Sequence, residues 1–249
     1  MRRCEARHQR GVRTRPGKPW LPICTAAPAR ARRAHQDLGQ EGEGPHGRGG
    51  VRRRLCEEEE ALRLLQRRDR RCPENLVGRN FRAGGPNGLW LADVTQFSIP
   101  AGKIYLSPAV DCFDGMPVSW AIRKSPNAEM ANTMLRSACE TIGGGEAPVI
   151  HSDRGCHCRW PGWLKTCEDD GLVRSMSKKG CSPDNSAMEG FFGRLKNEFF
   201  YDRDWDGVSI DEFISLLDDY MRYYRDDRIK ESLDWKSPMQ YRKSLGMVA

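Results

Sequence analysis

From about residue 75 onward, the hydrophobic positions of the chain follow two alternating periods. In "GLWLADVTQF" (88–97), Leu91, Asp93 and Thr95 alternate onto one face, the period of a half-buried strand. "KIYLSPAVDCF" (103–113) and "MPVSWAIRK" (116–124) read as the next two strands, joined by a turn at Asp114 and Gly115. Pro108 has no N–H to give to a ladder, so a bulge or an irregular start is expected there. The period then becomes helical. "SPNAEMANTMLRSACETIGG" (125–144) reads as a capped helix ending in glycines, with Met130, Met134, Ala138 and Ile142 as its core stripe. "APVIHSD" (147–153) reads as a buried strand that ends on a carboxylate. A short helix near 160–169 and a strand at "LVRSMS" (172–177) follow.

Two further helices complete the pattern. "SPDNSAMEGFFGRLKNEFF" (182–200) opens with a capping Ser182 and with Pro183 at the first helical position. Its Phe191, Phe192, Leu195 and Phe199 recur at helical spacing. In the last helix Ser209 and Glu212 predict a capping box. Ile210, Phe213, Ile214, Leu217, Tyr220, Met221 and Tyr224 repeat at the helical period behind it. Three strands in hairpin order followed by alternating helices and strands predict a mixed sheet flanked by helices, an α/β fold.

The first third of the chain lacks this texture. Only 11 of residues 1–80 are Leu, Ile, Val or Phe, too few to bury a core, and 20 Lys and Arg face 10 Asp and Glu there. "GQEGEGPHGRGG" (39–50) reads as flexible linker, and residues 52–71 hold the one helical patch, marginal without a partner. The expected organisation is an extension over 1–74 that is disordered or read partly off frame, a core over 75–205, and a C-terminal helix and tail over 206–249.

Charge sharpens that division. The net charge is +7, made up of +10 from residues 1–80 and −3 from the remaining 21 Lys and Arg against 24 Asp and Glu. A basic excess of this kind points to a polyanionic partner and says nothing of fold. The ten cysteines follow no disulfide spacing and read as reduced cytosolic thiols. "CHC" at 156–158, with Cys167 and Cys181 beyond, has no CxxC or HxxxH pair to support zinc. No apolar run approaches the ~20 residues of a membrane span. "WLPICTAAPARA" is too short and too broken by Pro22 for a signal peptide.

Three carboxylates stand in costly places. Asp93 lies among apolar strand residues, Asp153 ends an apolar strand, and Glu189 sits on an apolar and basic helix. Buried charge needs compensation. Arginine pairing is the structural way to supply it, and a divalent cation is the functional way. For Glu189 taken alone, a solvated acid is the ordinary reading. Asp111, Asp114 and Asp184 are the rival acids. Asp114 suits a turn before Gly115, Asp184 suits a first helical turn, and Asp111 falls near the same region of the second strand.

Asp153 and Glu189 have 35 residues between them. With Asp93, "HSDRG", "SPDNSAMEGFFGRLKNEFF", "RNFRAGGPNGLWLADVTQF" and the tail "YYRDDRIKESLDWKSPMQYR", the chain resembles bacterial insertion-sequence transposases with a DDE integrase core. The resemblance covers roughly residues 75–246. It implies a ribonuclease H-like fold, a five-stranded mixed sheet in order 3-2-1-4-5, and an enzyme that cuts DNA and joins a 3′-OH to a second strand. It implies Asp93, Asp153 and Glu189 as catalytic metal ligands for Mg²⁺ or Mn²⁺, two ions in all. It further implies double-stranded DNA as partner, a homo-oligomer on that DNA, no membrane association, and a bacterial cytoplasmic location on the nucleoid.

Lys196, seven residues after Glu189 on the same face, matches a family position that contacts DNA. Arg194 and the loop residues Lys178 and Lys179 are the other candidate DNA contacts. Members often carry Thr at the position of Ala92, Tyr at Cys158 and His at Lys230. Full-length members also have an N-terminal helix-turn-helix, whose apolar period is not visible in residues 1–74. Two other readings stand beside the transposase: a remnant that binds DNA without cutting it, and another ribonuclease H-like nuclease.

Overall fold

The structure, a computed structural model, describes residues 73–143, 145–153, 160–178 and 182–247. The N-terminal extension, "CHC" at 156–158, Cys181 and Lys179 lie outside the described residues, so the expectations made for them are not tested by it. The strands are β1 (Leu89–Ala92), β2 (Thr95–Ile99), β3 (Gly102–Asp111), β4 (Pro117–Arg123), β5 (Val149–Ser152) and β6 (Val173–Met176). The helices are α1 (Ala128–Cys139), α2 (Pro161–Asp169), α3 (Ser186–Leu195), α4 (Ile210–Asp226) and α5 (Pro238–Ser244). Among the described residues no helix is long and apolar enough to cross a membrane.

The sheet has six strands where five were expected, because the first expected strand is broken. β1 and β2 both pair antiparallel with β3, Ala92 opposite Ala109 and Thr95 opposite Leu106. One register therefore spans the break, and it sets Asp93 opposite Pro108, which has no N–H to share. On the other side of the gap, the Val94 N–H turns to the Asp93 carboxylate, Oδ1 at 2.7 Å, and leaves the ladder. Asp93 thus sits in an interruption of the strand and not mid-strand. The irregularity expected at Pro108 appears on the other flank of β3 as well, as a register shift against β4 between Ala109 and Val110. With β1 and β2 counted as one, the order is the expected 3-2-1-4-5. β5 and β6 extend the sheet in parallel.

One apolar layer forms where α1 and α2 cover the sheet: Met130, Met134, Leu135, Trp163 and Leu164 pack with Trp90, Ala92, Ala109 and Ile150. α1 begins later than its sequence pattern suggested. Asn127 caps it by accepting from the Met130 N–H, and the helix stops at Cys139, so Ile142 packs on the core from beyond the helix. α3 and α4 meet through aromatic rings. Phe191 lies against Tyr224 and Phe199 against Tyr220, with centroids 5.2 and 5.3 Å apart, and Phe97 of β2 joins Phe199 and Phe213. Beyond Leu195 the helix widens into a π-helical turn, Lys196–Phe200, which aims both phenylalanines at this cluster. Ser209 accepts from the Glu212 N–H as expected, while a full reciprocal capping box forms at Ser237 and Gln240.

The C-terminal tail is latched to the β3–β4 turn by two cations. Lys230 Nζ donates to the carbonyls of Asp114 and Gly115, both at 2.9 Å, and sits 4.7 Å over the Tyr224 ring. Arg242 donates to Asp111 at 2.7 Å and to Asp114 at 2.7 and 3.2 Å, with all three side chains buried. Gly115 has φ +69°, and a Cβ there would stand 2.8 Å from Lys230 Nζ, so both the turn and the latch require glycine. Asp111 is therefore a structural acid, which settles it as no rival for metal. Replacing Arg242 with Met leaves two buried carboxylates without their cation. Chemical denaturation should show a loss of about 3–5 kcal/mol, and a loss below about 1 kcal/mol would mean that the latch carries little.

Candidate active site

Asp93 and Asp153 are brought together by backbone pairing. β1 and β5 are parallel neighbours with Ala92 level with Ser152, so the next residue of each chain leaves the same end of the sheet. The carboxyl ends of such strands are where open α/β sheets place their sites. Both carboxylates are half-buried. Glu189 lies on the exposed side of α3. The charges of Asp153 and Glu189 are both near enough to act on Asp93. Its carboxyl is pushed up to about 6, first by burial and then by Asp153 and Glu189, against the lowering effect of hydrogen bonds from Val94 and Asn185.

The helix that carries Glu189 is aimed by its entry. Ser182–Asn185 form a 3-10 turn that hands over to α3. Asp184 in this turn is buried and held on every side. Arg79 Nε donates to Oδ1 at 2.8 Å, while Asn75 Nδ2 and the Lys178 N–H donate to Oδ2 at 3.0 and 3.1 Å. These donors, Arg79 first, hold its carboxyl below the usual range. The Asp184 carbonyl lies 3.1 Å from Nε2 of buried His151, whose Nδ1 lies 2.9 Å from Ser175 Oγ. Asp184 is thus more than a first-turn acid: it ties α3 to β5, to β6 and to the segment before β1. Asn185 Nδ2 then donates to Asp93 Oδ2 at 2.8 Å, which joins the entry of α3 to the end of β1.

The expected DNA contacts diverge. Lys196 Nζ stands 5.7 Å over the ring of Phe97, and burial lowers its pKa. Arg194, exposed on α3, lies near enough to Tyr224 of α4 for its charge to act on that hydroxyl. Lys178 spends its backbone N–H on Asp184 and leaves its side chain exposed. Sequence reasoning missed Asn185 and the anchoring role of Asp184. The available signal was the four-residue step from Asn185 to Glu189, one helical turn on the same face.

The donor set suits a hard divalent cation, since carboxylate oxygens are what Mg²⁺ and Mn²⁺ prefer. Among the described residues, however, no three His, Cys, Asp or Glu side chains are gathered closely enough to form a ready cage. Mutual repulsion of like charges and the two N–H donors that hold Asp93 oppose such gathering without a cation. The sign of the Asp93 effect follows. Its charged form is disfavoured in the fold, so the cost is absent below about pH 4, grows as pH rises toward 6, and is complete above it. Asp93→Asn should therefore stabilise the metal-free protein by about 1–2 kcal/mol at pH 7.5 and by almost nothing near pH 4. Thermal denaturation in EDTA at the two pH values reads this difference, and equal stabilisation at both would refute the cause given.

Comparison with known proteins agrees with this architecture. Two family models, each described as an integrase core domain, match residues 83–182 and 189–245. A Shigella flexneri protein described as a probable transposase for insertion sequence element IS1353 is 53% identical over 175 residues, 70% of this chain and 34% of that protein. An uncharacterized transposase-like protein of Haemophilus influenzae is 36% identical over 169 residues, 68% of this chain and 77% of that protein. The chain thus spans about a third of the first relative and most of the second. Among solved structures, a chain of the simian T-cell lymphotropic virus intasome in complex with a PP2A regulatory subunit shares the fold. It has a TM-score of 0.54 and 19% identity over 69% of this chain and 58% of that one. Pairing, site position and relatives agree that this chain belongs to the bacterial insertion-sequence transposases of the integrase-core superfamily, with their ribonuclease H-like fold.

Proposed function

We propose that the protein is a metal-dependent polynucleotidyl transferase that cuts DNA at the ends of an insertion element and joins the freed 3′-OH to a second strand. The observation that carries this reading is the level pairing of β1 with β5, which delivers two acids to one point beside the helix of Glu189. Asp93, Asp153 and Glu189 would hold Mg²⁺ or Mn²⁺, two ions in all. Two such ions supply activation of the attacking oxygen and stabilisation of the leaving one in an in-line displacement at phosphorus.

The chain's own residues do the rest. Asp93 and Asp153 leave neighbouring paired strands, so their separation is set by the sheet. Glu189 comes from a helix whose entry is fixed by Asp184 and whose far end is fixed by aromatic packing, and it closes on them from the side. Three carboxylates leave coordination positions for substrate oxygens and water, so no separate general base is assigned. Lys196, two turns beyond Glu189, would meet a backbone phosphate, and Lys178, Lys179 and Arg194 would be further phosphate contacts. The substrate is double-stranded DNA, bound by a homo-oligomer in the bacterial cytoplasm. A second reading is a remnant that binds DNA without cutting it.

With DNA that carries the element's own ends and with Mg²⁺ or Mn²⁺ present, the wild type should cleave and transfer strands. Asp153→Asn should abolish both while DNA affinity stays within about threefold, as expected when a metal ligand is lost and the fold is kept. Cleavage that survives in the variant would refute the metal role, and a wild type as inert as the variant would establish the remnant. Lys196→Ala should weaken DNA binding alike for all sequences and lower the salt slope by about one. An unchanged slope would remove Lys196 from the DNA contact.

A further inference from the structure

Asn185 makes two sacrifices that the fold does not explain. It stands where the 3-10 turn becomes α3, a position at which Asn ordinarily caps the helix with its side-chain oxygen. Here the side chain makes no capping bond. Its Nδ2 instead donates to Asp93 Oδ2 at 2.8 Å. Its Oδ1 is buried with no hydrogen-bond partner among the described residues, on a residue only 8% exposed. A buried acceptor left unsatisfied is a cost that the fold alone does not repay. A side chain chosen for stability would cap the helix or be apolar.

We infer that Asn185 is a positioning residue of the metal site: its amide N–H fixes the Asp93 carboxylate, and its free Oδ1 receives a water of the cation's hydration shell. The inference rests on the reading of Asp93, Asp153 and Glu189 as ligands and adds a residue to it. A carboxylate oxygen has room for a second partner beside one N–H, so Asp93 can keep Asn185 and still bind a cation. Partners of this kind orient the ligand, and removing them typically weakens metal binding 10–100-fold. The bond also connects two ligands. Glu189 lies one turn beyond Asn185 on the same face of α3, so fixing Asn185 to Asp93 fixes the approach of Glu189. Mg²⁺ usually keeps several of its waters in protein sites, so an acceptor beside the ligands has something to receive.

The test measures Mn²⁺ binding by the electron paramagnetic resonance of the free ion, without DNA. It uses the wild type, Asn185→Ala, Asn185→Ser and Asp153→Asn, with thermal denaturation of each in EDTA. Ser is too short to reach Asp93 and removes the unpaired amide Oδ1, so that variant should fold about as well as the wild type. The expected result is Mn²⁺ affinity 10–100-fold weaker in both Asn185 variants, with melting temperatures in EDTA no lower than wild type. Affinities within twofold of wild type would overturn the inference and leave the three carboxylates as ligands. Affinity lost only together with a marked fall in melting temperature would make Asn185 a structural residue and overturn the inference too. A wild type that binds Mn²⁺ no better than Asp153→Asn would overturn the carboxylate reading itself, and the inference with it.

Discussion

The in-register parallel pairing of β1 with β5 is the constraint from which the rest of the site follows. It sets Ala92 level with Ser152 at buried strand ends, so the next residues, both aspartates, must share one small region. Burial raises the cost of ionising Asp93, and the charges of Asp153 and Glu189 add to it. Asp93 and Asp153 each follow directly on a residue of a hydrogen-bonded pair, Ala92 with Ser152, which keeps them close. The surrounding structure therefore serves to bear this strain: core layers above the sheet, a clamped helix beside it, and N–H donors on Asp93.

The same molecule shows how it treats acids that have no chemistry to perform. Asp111 and Asp114 share the guanidinium of Arg242, and Asp184 takes Arg79 together with Asn75 and a backbone N–H. Each of these carboxylates is almost wholly buried and each has a cation in contact. Asp93 is treated differently. Its neighbours include two acids, its donors are neutral amides, and burial together with those acids pushes its pKa up to about 6. One arginine answers Asp111 and Asp114 and another answers Asp184, whereas Asp93 faces other acids, and this difference is what supports the proposal that it serves an external cation.

Local chemistry made most of the fold legible in the sequence. Alternation marked the strands, the Ser209 cap marked a helix start, and the aromatic stripe of α3 marked a buried face, the one that meets α4. What the sequence concealed depends on partners far away along the chain. Pro108 advertised an irregularity in its own strand, but the break appeared in the strand opposite, at Asp93, which only the β1–β3 register reveals. Arg242 reaches back across more than a hundred residues to Asp111, as Arg79 reaches forward to Asp184, and no periodicity predicts such pairs. The three carboxylates were singled out by their spacing and the motifs around them. Asn185 was not, since an Asn before a helix reads as a cap until its side chain is seen to point elsewhere.

The most direct measurement of the central claim is a crystal of the protein soaked in Mn²⁺ and examined by anomalous scattering. The account predicts one or two anomalous peaks in contact with Asp93 and Asp153, with Glu189 drawn in beside them and two sites ~3.5–4 Å apart if both fill. No peak at these residues at millimolar Mn²⁺, or a peak held by other side chains, would contradict it.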